Sequence, residues 1–238
     1  MKIKELLAQV EETHVKFNTS KPYICGGVVR DKFMNRLDNI SDLDITTGDA
    51  SVQLLGQEFL NKIKKSYNVT SKIGIDGHMS VLFGNFKIDF SSNFILPNID
   101  NIVKKQLSSI EKESYSRDFT CNSLLSDLSL SNIIDPTQKG ILDIKAKKVD
   151  TILDPSIVFT NSKNRPLRAI YLAVKLNFDL SDQVFNFLKK YPFIIKESTT
   201  SSIKEKLSYC INKDKDRTIY LLNKTDMIKF LPVGALNG

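Results

Sequence analysis

The chain has 238 residues, a length that suits two small domains, and its hydrophobic (41%) and charged (26%) fractions are typical of globular proteins. This composition excludes a disordered or collagen-like chain, and no apolar run reaches the roughly 18 residues of a membrane span. Lysine and arginine outnumber aspartate and glutamate by 34 to 27, and the resulting charge of +7 suits a polyanionic partner without specifying one.

The N-terminal segment predicts an amphipathic helix, because Ile3, Leu6, Leu7 and Val10 share one helical face. It has neither the apolar core nor the cleavage site of a signal peptide. The three cysteines are far apart and form no CxxC pair, which argues against a disulfide framework or a zinc site. We therefore expect a cytoplasmic protein that does not associate with a membrane.

A glycine pair follows the first predicted strand. The apolar segment 23–25 runs directly into Gly26 and Gly27, and the next residues favour a helix. A strand that enters a helix through two glycines can present backbone N–H groups to an anion. The same pair is also compatible with a plain tight turn, so both interpretations stay open at this stage.

The next predicted strand carries two carboxylates. Polar and apolar residues alternate over 42–46, so Asp42 and Asp44 project from the same face. Two neighbouring carboxylates repel each other and favour a cation between them. Mg²⁺ suits such a pair, because it prefers oxygen ligands and shares its coordination sphere with substrate phosphates. The alternative is a solvent-exposed face on an edge strand.

The middle of the chain alternates between strand and helix patterns. A helix is predicted over 51–65 and an antiparallel meander over 68–91, with hairpin turns at the Asp-Gly pair 76–77 and the Gly-Asn pair 84–85. Residues 92–116 are polar and predict a loop with one short helix.

The second half of the chain predicts mainly helices. Residues 117–125 suggest a helix and 128–135 a strand. Beyond about residue 150 strand signals become rare, which predicts an α+β fold with a mixed domain over 1–148 and an all-helical domain over 149–238. The predicted helices of that second domain cover 164–176, 181–190 and 201–230.

Four motifs in this order resemble class II tRNA nucleotidyltransferases and bacterial poly(A) polymerases, members of the polymerase-β-like nucleotidyltransferase superfamily. They are GGVVRD at 26–31, DLD at 42–44, RDFTCNSL at 117–124 and RPLRA at 165–169. The resemblance extends from residue 23 to about residue 178. It implies that the first domain is the nucleotidyltransferase head, with a largely antiparallel small sheet, and that the second is a helical neck or truncated body.

The resemblance implies a Mg²⁺-dependent transfer of nucleotides from ATP or CTP to an RNA 3′ end, with the CCA end of tRNA as the expected acceptor. Asp42 and Asp44 are the expected metal ligands and catalytic carboxylates. Asp89, on the polar face of the strand after the second hairpin, is a third catalytic candidate that can orient or deprotonate the attacking hydroxyl. The alternative for Asp89 is an ion pair with Lys87, and His78 is expected to be a plain hairpin residue.

The remaining expected contacts are to the incoming nucleotide. The resemblance places the glycine pair and its neighbours at the triphosphate, the third motif at ribose and phosphates, and the fourth at the base and triphosphate. Arginine suits these places because its planar fork binds phosphates or base edges through two hydrogen bonds. The expected nucleotide-binding residues are Gly26, Gly27, Arg30, Asp31, Arg117, Asp118, Asn122, Arg165 and Arg168.

The chain departs from the family pattern in three places. Ser116 stands where the family has the first arginine of a pair, and Asn161 and Ser162 stand where it has two acids before Arg165. Without that acidic partner we expect relaxed base selection. Ser162 lies three residues before Arg165, a helical-turn spacing from which an introduced carboxylate should reach the guanidinium. The chain stops at Gly238, where family members continue into helical body and tail regions. We therefore expect either a minimal enzyme or one whose grip on RNA is supplied by a protein partner or by self-association.

Three alternatives remain beside the CCA-adding interpretation. The same machinery can add a poly(A) or other tail to RNA. The altered neck motif also fits a nucleotide- or RNA-binding homologue with reduced catalysis, although the complete DxD motif argues against this. Finally, the nucleotide can be transferred to a protein or a small molecule instead of RNA.

Overall fold

The chain folds into two compact units. Residues 1–117 and 122–140 form the first unit, and residues 118–121 and 141–238 form the second. No helix among the described residues is long and apolar enough to cross a membrane. The computed structural model describes residues 3–37, 40–74, 77–92 and 98–236.

A seven-stranded sheet forms the centre of the first unit. Its strands are β1 (Tyr23–Cys25), β2 (Asp42–Thr46), β3 (Thr70–Ile73), β4 (Met79–Phe83), β5 (Phe86–Phe90), β6 (Leu125–Ser126) and β7 (Ile133–Ile134). They lie in the order β3-β4-β5-β2-β1-β6-β7. The pair β2 and β5 is parallel and the other pairs are antiparallel, which confirms the predicted mixed, largely antiparallel sheet.

Strand β2 is a central strand of this sheet, between β1 and β5. Leu43 and Ile45 are fully buried, whereas Asp42 is exposed and Asp44 is half-buried. Both neighbours hydrogen-bond to β2, and its buried face fixes its register. The edge-strand alternative for the two aspartates is therefore wrong.

The predicted meander is present. Phe83 pairs with Phe86 across the predicted turn at 84–85. Ile73 pairs with Met79 at the end of the first hairpin, whose predicted turn includes Asp76, a residue outside the described part of the chain.

Among the described residues, five helices belong to the first unit. They are α1 (Ile3–Phe17), α2 (Gly27–Phe33), α3 (Ser51–Ile63), α4 (Ile99–Val103) and α5 (Ser109–Tyr115). Helix α1 buries Leu6, Leu7 and Val10, as its periodicity predicts. The prediction of one short helix within 92–116 is wrong, because both α4 and α5 lie there. Helix α5 begins with a capping box between Ser108 and Glu111, a local signal that the polar composition obscured.

The predicted helix over 117–125 is also wrong. The structure has one 3₁₀ turn at Thr120–Asn122, and β6 begins at Leu125. Phe119 instead forms a β-bridge with Thr151. The run is buried almost continuously, and its backbone pairs with a segment 30 residues further along the chain. Such contacts override a local helical pattern.

The second unit is mainly helical, as predicted. Its helices are α6 (Gly140–Lys145), α7 (Pro155–Asn161), α8 (Arg165–Leu176), α9 (Asp182–Lys190) and α10 (Thr200–Lys224). Helix α10 is interrupted at Asp214, and a separate 3₁₀ turn covers Met227–Phe230, so the predicted helix over 201–230 is not continuous. Two short parallel strands, β8 (Lys148–Val149) and β9 (Asp179–Leu180), were not predicted.

Candidate active site

The glycine pair forms the turn between β1 and α2. Gly26 has φ +76° and ψ −144°, a backbone conformation that residues with a Cβ rarely adopt. A Cβ on Gly26 would stand only 2.7 Å from Oδ2 of Asp44. The missing side chain therefore allows the backbone turn to lie directly against the carboxylate of β2.

Arg30 lies beneath this turn and is only 2% exposed. Its guanidinium forms an ion pair with Asp31 at 2.8 Å, and Nη1 donates to Oδ1 of Asn122 at 2.6 Å. Nη2 lies 3.3 Å from the place where a Cβ on Gly27 would stand. Four of the predicted nucleotide-binding residues thus form one contiguous cluster, in which the guanidinium of Arg30 already has protein partners.

The carboxylates of the first unit meet at the centre of the sheet. Asp42 and Asp44 are two residues apart on β2, and Asp89 on β5 is the register partner of Asp44. Burial raises the pKa of the Asp44 carboxyl above its ordinary value. The positive charge of Arg117 acts in the opposite direction, but burial has the larger effect. The nearby carboxylates of Asp42 and Asp89 raise it further. Asp44 therefore sits where an added positive charge would be favourable.

Asp89 forms an ion pair with Lys87 through Oδ2. The ion pair that the sequence left as the alternative role of Asp89 is thus present. Oδ1 of Asp89 is buried and accepts no hydrogen bond from the described residues. The imidazole Nε2 of His78 lies 3.5 Å from that oxygen and 3.3 Å from the hydroxyl of Ser80. His78 is therefore adjacent to the carboxylate cluster.

These carboxylates fit Mg²⁺ as a metal shared with a substrate. Across residues 3–37, 40–74, 77–92 and 98–236, no group of three or more His, Cys, Asp or Glu side chains is arranged to hold a metal ion. Mg²⁺ commonly uses one or two carboxylates together with substrate phosphates and water. The paired aspartates of β2 match that mode of binding.

Arg117 is held by a residue that the sequence analysis missed. Its Nη2 lies 2.5 Å from Oε1 of Glu113, whose side chain is fully buried, and donates to Sγ of Cys25 at 2.9 Å. The spacing of four residues between Glu113 and Arg117 was the available signal, since such pairs face each other on a helix. Burial raises the pKa of the Cys25 thiol, which disfavours the nucleophilic thiolate.

In the second unit, Asp118 and Arg168 form an ion pair with Nε 2.6 Å from Oδ2. Oδ1 of Asp118 accepts the backbone N–H of Phe119 at 2.9 Å, which orients the carboxylate. The side chain of Arg168 remains 40% exposed. Two predicted nucleotide-binding residues are therefore paired, and the arginine still reaches solvent.

Arg165 is the first residue of α8 and is buried, with Nη1 donating to the carbonyl of Val158 at 3.2 Å. Ser162 ends α7 with an extended backbone (φ −152°, ψ 120°), and its carbonyl accepts the N–H of Arg165. The expectation that Ser162 and Arg165 occupy successive turns of one helix is thus wrong, because the chain changes direction between α7 and α8.

A central strand with two aspartates beside an obligatory glycine turn, in a small mixed sheet, defines the head of a polymerase-β-like nucleotidyltransferase. Residues 22–150 match the family described as Poly A polymerase head domain. The chain belongs to this family, which comprises the class II tRNA nucleotidyltransferases and bacterial poly(A) polymerases that its motifs resemble.

Curated relatives include two CCA-adding enzymes. The enzyme of Bacillus pumilus is 27% identical over 217 residues, covering 88% of this chain and 51% of its own length. That of Anoxybacillus flavithermus is 25% identical over 222 residues, covering 92% and 53%. The chain therefore spans about half the length of the curated relatives that it matches.

Solved structures share the fold. The Thermotoga maritima CCA-adding enzyme complexed with tRNA has a TM-score of 0.72 at 21% identity, over 95% of this chain and 51% of the other. A tRNA nucleotidyltransferase complexed with a primer tRNA and an incoming ATP analog has a TM-score of 0.72 at 22% identity, over 94% and 63%. At these identities the similarity establishes the α+β fold.

Proposed function

We propose that this protein transfers nucleotides from ATP or CTP to the 3′ end of an RNA, with the CCA end of tRNA as the acceptor and Mg²⁺ as the metal. The observation that carries the proposal is the pair Asp42 and Asp44 on a central strand, with Gly26 packed directly against the second carboxylate. The relatives support the acceptor, because they are named CCA-adding enzymes and similar structures are described with tRNA and an ATP analog.

In the proposed reaction, the 3′-hydroxyl oxygen of the RNA forms a bond to the α-phosphorus of the nucleotide. The bond from this phosphorus to the bridging oxygen breaks, and pyrophosphate leaves. Asp89 is our candidate to orient the hydroxyl and take its proton, because Oδ1 accepts no hydrogen bond from the described residues. Lys87 holds the other oxygen and so fixes the direction of Oδ1.

Asp42 and Asp44 would hold the metal ion, which when bound supplies positive charge to the phosphates. We assign the triphosphate to the backbone of Gly26 and Gly27. The buried cluster of Arg30, Asp31 and Asn122 keeps this backbone in place, since its guanidinium is bonded on both sides. Arg117 supplies the cationic contact to ribose and phosphate. A preorganised set of this kind stabilises charge that develops during transfer.

In the second unit, we assign Arg168 to the nucleotide, because its side chain is partly exposed while Asp118 orients it. Arg165 contributes through its position at the start of α8, where its guanidinium holds the carbonyl of Val158. No acid occupies positions 161 and 162, which supports relaxed choice between bases. This feature favours a second candidate function, the addition of a poly(A) or mixed tail by the same machinery.

The charge distribution supports a polyanionic acceptor. Residues 141–238 contain 17 lysines and arginines but only 10 aspartates and glutamates, whereas residues 1–140 contain 17 of each. Basic surfaces that carry exposed aromatic rings suit RNA, and Phe193, Tyr209 and Tyr220 are exposed in this half. We propose that residues 1–148 act as the catalytic head and 149–238 as the neck. A protein partner or a second copy can extend the RNA grip.

We place the reaction in the cytoplasm. The protein's three buried cysteine thiols suit a reducing compartment. The deciding experiment labels each nucleotide in turn, with the other three present unlabelled, and offers the mixture to tRNA that lacks its CCA end and to an unrelated RNA. Label from CTP and ATP on tRNA alone supports CCA addition, and label from ATP on both RNAs supports tailing. No label on any RNA would contradict both.

The same assay tests the carboxylates. Asp42→Ala and Asp44→Ala should each reduce incorporation by about a hundredfold or more, because each removes charge stabilisation from the transfer. Glu58→Ala, on α3 in the same unit, is the control and should incorporate nucleotides normally. Activity within about threefold of wild type in either aspartate variant would overturn the assignment of the metal site.

A further inference from the structure

A buried glutamate lies beside the carboxylate site without a role in the proposed reaction. Glu113 is 2% exposed on α5, and its Oε1 lies 2.5 Å from Nη2 of Arg117. Carboxylates are seldom buried without a strong partner. Both side chains of this ion pair are largely buried, so the pair calls for an explanation.

Arg117 stands between two acids. Its Nη2 donates to Sγ of Cys25, the residue that lies opposite Asp44 in the β1–β2 register. Its Nη1 lies 3.9 Å, and Oδ2 of Asp44 lies 2.7 Å, from the place where a Cβ on Gly26 would stand. Among the described residues, Arg117 nevertheless forms an ion pair with Glu113 and none with Asp44.

The position of the guanidinium follows from this competition. Burial works to lower the pKa of Arg117, but the surrounding acidic groups, Glu113 and Asp44 among them, raise it, so the guanidinium stays charged. A buried cation that loses its partner is costly and moves toward the next available carboxylate. Here that carboxylate is Asp44. Nε of Arg117 has no hydrogen-bond partner in the described part of the chain, so it can donate a second bond to this carboxylate.

We propose that Glu113 is a positioning residue that keeps Arg117 away from Asp44 and so leaves the Asp44 carboxylate available to the divalent cation. This inference rests on the proposed function, because it takes Asp44 as a metal ligand. It predicts that loss of the charge on Glu113 weakens metal binding although Glu113 is not itself a ligand.

The test measures Mn²⁺ binding to the full chain by electron paramagnetic resonance, without nucleotide or RNA. Glu113→Gln keeps the shape but not the charge, and should raise the Kd for Mn²⁺ by about tenfold or more. Glu113→Asp keeps the charge and should recover most of the affinity. The control is Glu111→Gln, because Glu111 lies on the same helix with 22% of its side chain exposed and glutamine can fulfil its capping role; this variant should bind Mn²⁺ as wild type does.

A double variant separates positioning from simple structural damage. Glu113→Gln combined with Arg117→Gln removes the displaced cation, and should bind Mn²⁺ as tightly as Arg117→Gln alone. Damage to the fold would instead make the double variant weaker than either single variant. If Glu113→Gln alone does not fold, the comparison of the double variant with Arg117→Gln still decides the question, because neither protein contains an unpaired buried cation.

The outcomes distinguish this inference from the proposed function. Unchanged Mn²⁺ affinity in Glu113→Gln, or a double variant that is weaker than Arg117→Gln, overturns the role of Glu113 alone. A wild-type protein that binds no Mn²⁺ and incorporates no nucleotide overturns the proposed function. Restored affinity in the double variant supports both.

Discussion

Replacing Gly26 by alanine should impair both folding and nucleotide transfer, whereas the same change at Gly27 should leave stability almost unaltered. The two glycines are adjacent but differ in what a Cβ would meet. At Gly26 the added carbon stands 2.7 Å from Oδ2 of Asp44, on a backbone with φ +76°. At Gly27 the nearest atom is Nη2 of Arg30 at 3.3 Å, and the backbone has no positive φ.

The size of the difference follows from these contacts. Holding a residue with a Cβ in the Gly26 conformation costs about 1–3 kcal/mol, and overpacking a close contact costs about 1–3 kcal/mol more. Gly27 is the first residue of α2 and has no positive φ, so alanine there gains up to about 1 kcal/mol of helix propensity against its own close contact. We expect the Gly26 variant to be less stable than the Gly27 variant by about 3 kcal/mol.

Urea unfolding followed by circular dichroism measures this difference, which corresponds to a lowering of Tm by about 6–12 °C for a chain of this size. Incorporation should fall further than stability explains in the Gly26 variant, because Asp44 must move to admit the new Cβ. Equal unfolding midpoints for the two alanine variants would refute the reasoning. So would full activity in a folded Gly26→Ala protein.

Asp44→Asn should abolish incorporation yet raise the free energy of unfolding at pH 8, because burial raises the pKa of Asp44 and its charged form therefore costs stability above that pKa. The gain should shrink as the pH falls and wild-type Asp44 takes up a proton. Urea titrations at pH 8 and at an acidic pH measure the gain, and Asp42→Asn, at an exposed position, should show none. Arg168→Ala should raise the nucleotide KM about tenfold through loss of a charged contact. The free energy of unfolding of this variant should change by less than about 1 kcal/mol because the side chain is 40% exposed. Steady-state kinetics measure the KM, and urea titration measures the stability. RNA affinity in filter binding should fall at least about tenfold between about 50 and 200 mM salt, and a flat curve would indicate an acceptor that is not RNA.

The strand that carries the two aspartates was predictable because its signal is local. Asp42 and Asp44 alternate with Leu43 and Ile45, and a period of two places both acids on one face whatever the strand pairs with. That the strand is central could not be predicted, since its neighbours come from segments before and after it in the chain. The same limit explains the error at residues 117–125, where a long-range bridge replaced the expected helix.

The roles of the arginines were less predictable than their presence. The motifs identify Arg30, but its burial depends on Asn122, which lies 92 residues away. Glu113 escaped notice because a glutamate four residues before an arginine is usually an exposed pair of small consequence. Only the approach of α5 to β1, where Cys25 receives the guanidinium, makes that pair a buried one.

The ion pairs of the first unit explain why the proposed metal site takes a dication. Lys87 is paired with Asp89, and Arg117 is paired with Glu113, so each of these cations is already matched by an acid. The two aspartates of β2 have no such match among the described residues. Two carboxylates can together neutralise the charge of one Mg²⁺. An additional lysine or arginine beside β2 would stabilise the apo-protein but compete with the metal, and we infer that the buried pairs keep both cations engaged elsewhere.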